Sequence, residues 1–190
     1  RTGRVHALSV SADGSRAVSA SGNVLAVWDL RKRRLLWSFK GHASPVNDVS
    51  MSANGTMAVS ASDDKTLRVW DLEACREGAL PKHQGRRICA MALSCDGRRV
   101  ISASDGSGTL TVWDLAMGSQ HAVLRGHTKT VRSIVISPNG RYAITGSTDC
   151  TVRVWDLDAC EELWSFKRHT DSVWAVALLW DARCVVSGSR

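Results

Sequence analysis

Residues 126–157 read GHTKTVRSIVISPNGRYAITGSTDCTVRVWDL, and this stretch decides the fold because its landmarks recur along the chain. Its closing Trp155-Asp156-Leu157 is matched by Trp28-Asp29-Leu30, Trp70-Asp71-Leu72 and Trp113-Asp114-Leu115, at intervals of 42, 43 and 42 residues. Its opening Gly126-His127 is matched by Gly41-His42 and Lys82-His83, and Arg168-His169 opens one further unit. Its central Asn139-Gly140 is matched by Asp13-Gly14, Asn54-Gly55 and Asp96-Gly97, each joining two short apolar runs. Three kinds of landmark in one order at one period define a repeat protein.

Each unit reads as four short strands, here lettered a to d. In the second unit Val46–Met51 forms strand a, and Asn54-Gly55 has hairpin chemistry because both residues tolerate positive φ. Met57–Ala61 forms strand b, Asp63-Asp64-Lys65 a polar turn, and Thr66–Trp70 a strand c rich in β-branched residues. Strand d is clearest as Leu35-Leu36-Trp37-Ser38-Phe39 and Leu163-Trp164-Ser165-Phe166. Pro45, Pro81 and Pro138 fall at loops or strand ends, and no segment reads as a helix.

The landmarks from Gly126-His127 through Ser137-Pro138-Asn139-Gly140 and Asp149 to Trp155-Asp156-Leu157 resemble the WD-repeat family, and the resemblance covers essentially the whole chain. It implies an all-β protein, a β-propeller of four-stranded antiparallel blades. The units fall at about 1–40, 41–81, 82–125, 126–167 and 168–190, the last truncated after strand b. Propellers ring typically 4–8 blades about a channel. About four and a half blades make an incomplete ring, so the chain is expected to be a piece of a longer protein.

The resemblance also implies a hydrogen-bond chain within each blade. It runs from the strand-c Trp to a strand-b hydroxyl, then to His, then to an Asp of the b–c turn. In the second unit the members are Trp70, Ser60, His42 and Asp64; in the fourth they are Trp155, Thr145, His127 and Asp149. The third unit keeps Trp113, Ser102 and His83, but its turn Asp105-Gly106-Ser107-Gly108 is expanded, leaving open whether Asp105 reaches His83. The first has Arg1 in place of His and no Asp in Ser21-Gly22-Asn23. Catalysis asks for one such set in a cleft, whereas these recur blade by blade, so they are read as fastening. A buried indole N–H left unpaired costs ~1–3 kcal/mol, which is reason enough for the chain.

Composition narrows the function. The 190 residues are 44% hydrophobic, with no apolar run near the roughly 18 residues of a membrane span. The longest apolar run is Val173–Trp180, and the N-terminus lacks the apolar region of a signal peptide. No Cys-x-x-Cys, phosphate loop, nucleophile elbow or His-Glu-x-x-His occurs, so no metal, cofactor or small-molecule substrate is expected, and the protein is not expected to be an enzyme. Six cysteines without a disulfide pattern suit a reducing compartment, the cytoplasm first and the nucleus second.

Net charge is +7, with cationic groups at Arg31-Lys32-Arg33-Arg34, Arg86-Arg87 and Arg98-Arg99. These are read as solvated loops, because no interleaved aromatics form a stacking platform for nucleic acid. The expected function is a scaffold for other proteins. Two alternatives are the sensor propeller of a larger signalling NTPase and a basic propeller on nucleic acid. Loops freed from packing are where a rigid scaffold places recognition, and the d–a loops vary most between units. The candidate partner-binding residues are Lys82, Gln84, Arg86, Arg87, Lys129, Arg132, Asp171 and Trp174. Trp174 shares the second place of strand a with Asn47 and Arg132, near the channel mouth.

Overall fold

The computed structural model describes residues 4–80, 86–179 and 184–189. Eighteen strands and no helix are found among them. Blade 1 comprises β1 (Val5–Val10), β2 (Arg16–Ser21), β3 (Val24–Asp29) and β4 (Arg34–Lys40). Blade 2 comprises β5 (Val46–Met51), β6 (Met57–Ser62), β7 (Leu67–Asp71) and β8 (Arg76–Ala79). Blade 3 comprises β9 (Ile88–Leu93), β10 (Arg99–Ser104), β11 (Thr109–Asp114) and β12 (Ser119–Arg125). Blade 4 comprises β13 (Val131–Ile136), β14 (Tyr142–Ser147), β15 (Val152–Asp156) and β16 (Glu161–Phe166). A two-stranded sheet, β17 (Val173–Leu178) with β18 (Val185–Ser189), follows.

Every sheet is an antiparallel meander in chain order. The first strands lie side by side: β1 meets β5, β5 meets β9, β9 meets β13, and β13 meets β17. Sheets that meet along their first strands are arranged radially about a channel, which is the propeller plan. Among the described residues they form an arc and not a closed ring.

The core is a series of wedges between blades. Between blades 1 and 2, Val49, Met51, Trp70 and Leu72 press on Val18, Leu25 and Val27. The Trp70 ring lies 5.0 Å from that of Phe39. Corresponding wedges separate blades 2 and 3 and blades 3 and 4. The same strand-c face is covered in blade 2 and open in blade 1: Trp70 is 1% exposed and its counterpart Trp28 38%.

The two halves of Trp-Asp do different work. The indole enters the wedge, and the carboxylate builds the c–d turn: Asp71 Oδ1 accepts from the N–H groups of Glu73 (3.0 Å) and Ala74 (2.8 Å), and Asp156 Oδ1 from Asp158 (2.9 Å) and Ala159 (3.0 Å). This turn puts Arg33, Cys75, Gly118 and Cys160 at positive φ. The matching places of Cys75 and Cys160 are thus places in a turn, with no partner chemistry between them.

One expectation about the turns is corrected. In the a–b turn only Gly55 has positive φ (69°), and Asn54 does not. Gly55 N–H donates to Ser52 C=O at 2.9 Å. Asn54 contributes its side chain instead, Oδ1 accepting from Ser52 Oγ (2.7 Å) and Thr56 N–H (3.1 Å). An amide oxygen that closes the turn explains why Asp serves equally well at residues 13 and 96.

Candidate functional site

In blades 2 and 4 the hydrogen-bond chains are built by four separate elements. In blade 4, Trp155 on β15 donates its indole N–H to Thr145 Oγ1 on β14 at 2.9 Å. His127, from the d–a loop, has Nε2 2.7 Å from Thr145 Oγ1 and Nδ1 2.8 Å from Asp149 Oδ2 in the b–c turn. A carboxylate can only accept, so Nδ1 carries the hydrogen and Nε2 accepts from the threonine hydroxyl. Each member donates to the next, and the chain ends on a charge. Blade 2 repeats it with Trp70 to Ser60 at 2.8 Å, Ser60 to His42 at 2.7 Å and His42 to Asp64 at 2.8 Å.

A fifth member was not foreseen. Thr151 donates its hydroxyl to Asp149 Oδ1 at 2.6 Å, and Thr66 donates to Asp64 Oδ1 at 2.5 Å. The signal for it was a threonine two places after the Asp in both units. Glycine precedes His for a steric reason: a Cβ at Gly126 would lie 2.9 Å from the Trp155 ring, and one at Gly41 2.7 Å from that of Trp70.

Electrostatics keep these histidines neutral. Burial pushes the pKa of His127 and His42 below the usual value, outweighing the opposing pull of Asp149 and Asp64. Partial burial disfavours the charge on Asp149. The Thr151, Thr128 N–H and His127 hydrogen bonds outweigh it and hold the carboxyl at about 2, and Asp64 is likewise held at about 2.

Blades 1 and 3 differ. Trp28 donates to Ser19 Oγ at 2.8 Å, while Arg1 lies outside the described residues. Trp113 donates to Ser102 Oγ at 2.9 Å; His83, with Lys82 and Gln84, lies outside the described residues. Asp105 occupies the register of Asp63 and Thr148, not of Asp64: its N–H donates to Arg87 C=O at 3.0 Å, as Asp63 does to Pro45 and Thr148 to Thr130. Its carboxylate accepts from Arg87 Nε at 2.8 Å. Despite some burial, this contact holds Asp105 below the usual carboxylate range.

The remaining candidates lie on the same side of the arc, the face of d–a loops and b–c turns. Arg86 is exposed, with Nη1 donating to the carbonyls of Asp105 (3.3 Å) and Gly106 (3.0 Å). Lys129 and Asp171 are exposed. The Arg132 guanidinium stands 5.2 Å over the Trp174 ring, which is 47% exposed. Arg99, by contrast, pairs with Asp158 at 2.7 Å near the a–b and c–d turns of the opposite face.

The inner wall held a second surprise. Where first strands meet, side chains of one blade cap backbone N–H groups of the next: Ser9 caps Met51 (3.0 Å), Ser50 caps Leu93 (3.2 Å), and Ser133 caps Val176 (3.1 Å). Asp48 caps Met91 at 2.9 Å, and burial there pushes its pKa up to about 6. Asp48, Cys89 and Arg132 line a cleft of about 500 Å³ along this wall. Short polar residues on strand a were the only sequence trace, and they resemble ordinary solvent-facing positions.

The family model for the WD domain, G-beta repeat, matches residues 33–71, 75–114, 118–156 and 160–190. The chain belongs to the WD-repeat family. The first three WD repeats so matched each begin near the fourth strand of one blade and end with the third strand of the next, and the fourth runs from β16 through β18, so the sequence unit links neighbouring blades. Autophagy-related protein 16 of Arabidopsis thaliana is 31% identical over 180 residues, covering 91% of this chain and 35% of that protein. WD repeat-containing protein 90 of Xenopus tropicalis is 31% identical over 136 residues, covering 72% of this chain and 7% of that protein. Pre-mRNA-processing factor 19 of Caenorhabditis elegans is 30% identical over 165 residues, covering 78% of this chain and 32% of that protein. The chain thus spans about a third or less of the length of these WD-repeat relatives. No helix among the described residues is long and apolar enough to cross a membrane.

Proposed function

We propose that the chain is a protein-interaction platform without chemistry of its own, and that partners are recognised on the face of d–a loops and b–c turns. The observation that carries this reading is the state of the His–hydroxyl–Asp sets. The His42 and His127 side chains have no exposed surface, and the Ser60 and Thr145 hydroxyls are already engaged by an indole and an imidazole. A nucleophile has to meet its substrate; these hydroxyls face only their own blade. The fastened framework instead holds the loops that vary from blade to blade. Family membership supports partner binding, and six cysteines present as free thiols support a reducing compartment such as the cytoplasm.

The test is affinity capture with two charge reversals. Arg86→Glu/Arg87→Glu should lose partners that the unaltered chain retains, whereas Arg98→Glu/Arg99→Glu, on the opposite face, should keep them. Loss in the second variant alone would move recognition to the other face.

A further inference from the structure

Around the expanded turn of blade 3, three guanidinium groups converge on one aspartate. Arg87 Nε donates to Asp105 Oδ2 at 2.8 Å, and Arg132 Nη2 lies 3.9 Å from Oδ1. Arg86 is held by the Asp105 and Gly106 carbonyls, which orient its charge without neutralising it. Among the described residues, the one further carboxylate in ion-pair range is Asp63, 3.8 Å from Arg87, and it already accepts from Asn47 at 2.7 Å. Lys129, exposed on the adjoining d–a loop, has no carboxylate within ion-pair distance among the described residues. Four cations therefore face two carboxylates. Asp64 and Asp149 lie within the histidine chains, and Asp171 is exposed on the next d–a loop.

Two features show that this excess is not spent inside the protein. Arg132 Nε is buried without a hydrogen-bond partner among the described residues, and the side chain is 28% exposed with its one ion-pair contact at a loose 3.9 Å, so its fork is under-used within the chain. The Arg132 guanidinium also stacks on Trp174, whose ring is 47% exposed. A stacked, planar donor fork beside an apolar ring suits a carboxylate followed by an apolar side chain.

We propose that the junction of blades 3 and 4 is a docking site for an acidic segment of a partner protein, its carboxylates pairing with Arg86 and Arg132 and a neighbouring apolar side chain resting on Trp174. This rests on the recognition face argued above and names its chemistry. A protein segment fits better than nucleic acid for two reasons. Arg132 occupies one face of the local aromatic, and the cations gather at one junction instead of forming a track of phosphate spacing.

The test is fluorescence anisotropy of the full chain with a labelled dodecapeptide of repeating Glu-Glu-Leu, against the same peptide with Gln for Glu. The Glu peptide should bind in a salt-sensitive manner, at least about tenfold tighter than the Gln peptide. Arg132→Gln and Arg86→Gln should each weaken it by about tenfold, Trp174→Ala should weaken both peptides, and Arg98→Gln/Arg99→Gln should change nothing. If Arg132→Gln does not fold, the exposed Arg86→Gln decides alone. Equal binding of the two peptides, no binding of the Glu peptide, or a loss confined to the Arg98/Arg99 variant would overturn the proposal. So would displacement of the peptide by oligo-thymidylate binding more tightly. If the peptide fails while Arg86→Glu/Arg87→Glu still loses captured partners, the acidic chemistry falls and the recognition face stands.

Discussion

Replacing His127 by alanine tests the reasoning behind the hydrogen-bond chains most directly. The substitution removes the acceptor for the Thr145 hydroxyl and one of the two donors to Asp149 Oδ2, the other being Thr128 N–H at 2.9 Å. Asp149 Oδ1 keeps Thr151, and Thr145 still accepts from Trp155. One buried hydroxyl proton is left without a partner and one carboxylate is under-satisfied. At ~1–3 kcal/mol for an orphaned buried group, with some recovery by water entering the imidazole space, the expected loss is about 2–3 kcal/mol. His121→Ala, on the exposed strand β12, is the control and should stay within about 0.5 kcal/mol. Urea melts of the two variants followed by tryptophan fluorescence should separate their midpoints by about 1 M, taking a slope of 2–3 kcal/mol/M. A double-mutant cycle with Asp149→Asn should show coupling of about 1 kcal/mol or more. Coincident midpoints, or strict additivity in the cycle, would refute the chain as a stabilising unit.

Three further outcomes follow from the same geometry. The native pKa of His42 and His127 lies below the ordinary 6.5, so the unfolded chain takes up protons first. Their contribution to stability is complete above about pH 6.5 and declines as pH falls, and Asp64 and Asp149 add a second decline between 3.8 and about 2. Melts across pH 7.5–2 should show both, and His42→Ala/His127→Ala should flatten the upper one; an unchanged slope there would contradict the assignment. Asp48 has the opposite sign: its native pKa of about 6 lies above 3.8, so its contribution is lost as pH rises between these values. Asp48→Asn should therefore stabilise the chain at pH 7.5 by about 1 kcal/mol, and a lower midpoint would show that the Met91 N–H requires the full charge. Gly108→Ala should cost about 2 kcal/mol, because its Cβ would collide with the backbone carbonyl of His127, whereas Gly78→Ala, on the exposed strand β8, would meet only the Val69 carbonyl at 3.9 Å and should be near neutral; equal melts would discount the close approach.

Much of this was legible in the sequence because one solution is written four times. The repeat reveals that Trp70 and Trp155 do the same thing, and the resemblance to WD repeats, carried onto matching positions, points to Ser60 and Thr145 on the preceding strand. What was not legible depended on register and on neighbours in space. Asp105 is the first acidic residue of its turn, and only the backbone bond to Arg87 C=O shows that it stands where Asp63 stands, out of line for the His-chain position. The partners of Ser9, Ser50, Ser133 and Asp48 are backbone amides one blade away, and a backbone amide has no sequence signature. Arg132 and Trp174 are separated by a whole repeat, and their stacking requires knowing that β13 and β17 are adjacent.

Blade 3 joins the stability argument to the recognition argument. In blades 2 and 4 the b–c turn is tied downward, by an aspartate to a buried histidine. In blade 3 the turn is tied sideways, by Asp105 to Arg87 of the same blade and, more loosely at 3.9 Å, to Arg132 of the next. Buried hydrogen bonds, even those that end on a carboxylate, are screened little by salt, whereas half-exposed ion pairs are screened by it and contribute little to stability. The Arg87–Asp105 pair is half-exposed on the guanidinium side, so weak fastening is what it provides to the fold. Its larger effect is on the surface. Asp105 stands where Asp63 stands in blade 2, and there it positions three guanidinium groups while neutralising only one. The expanded turn of blade 3 is thus the place where charge is gathered, oriented and left incompletely matched.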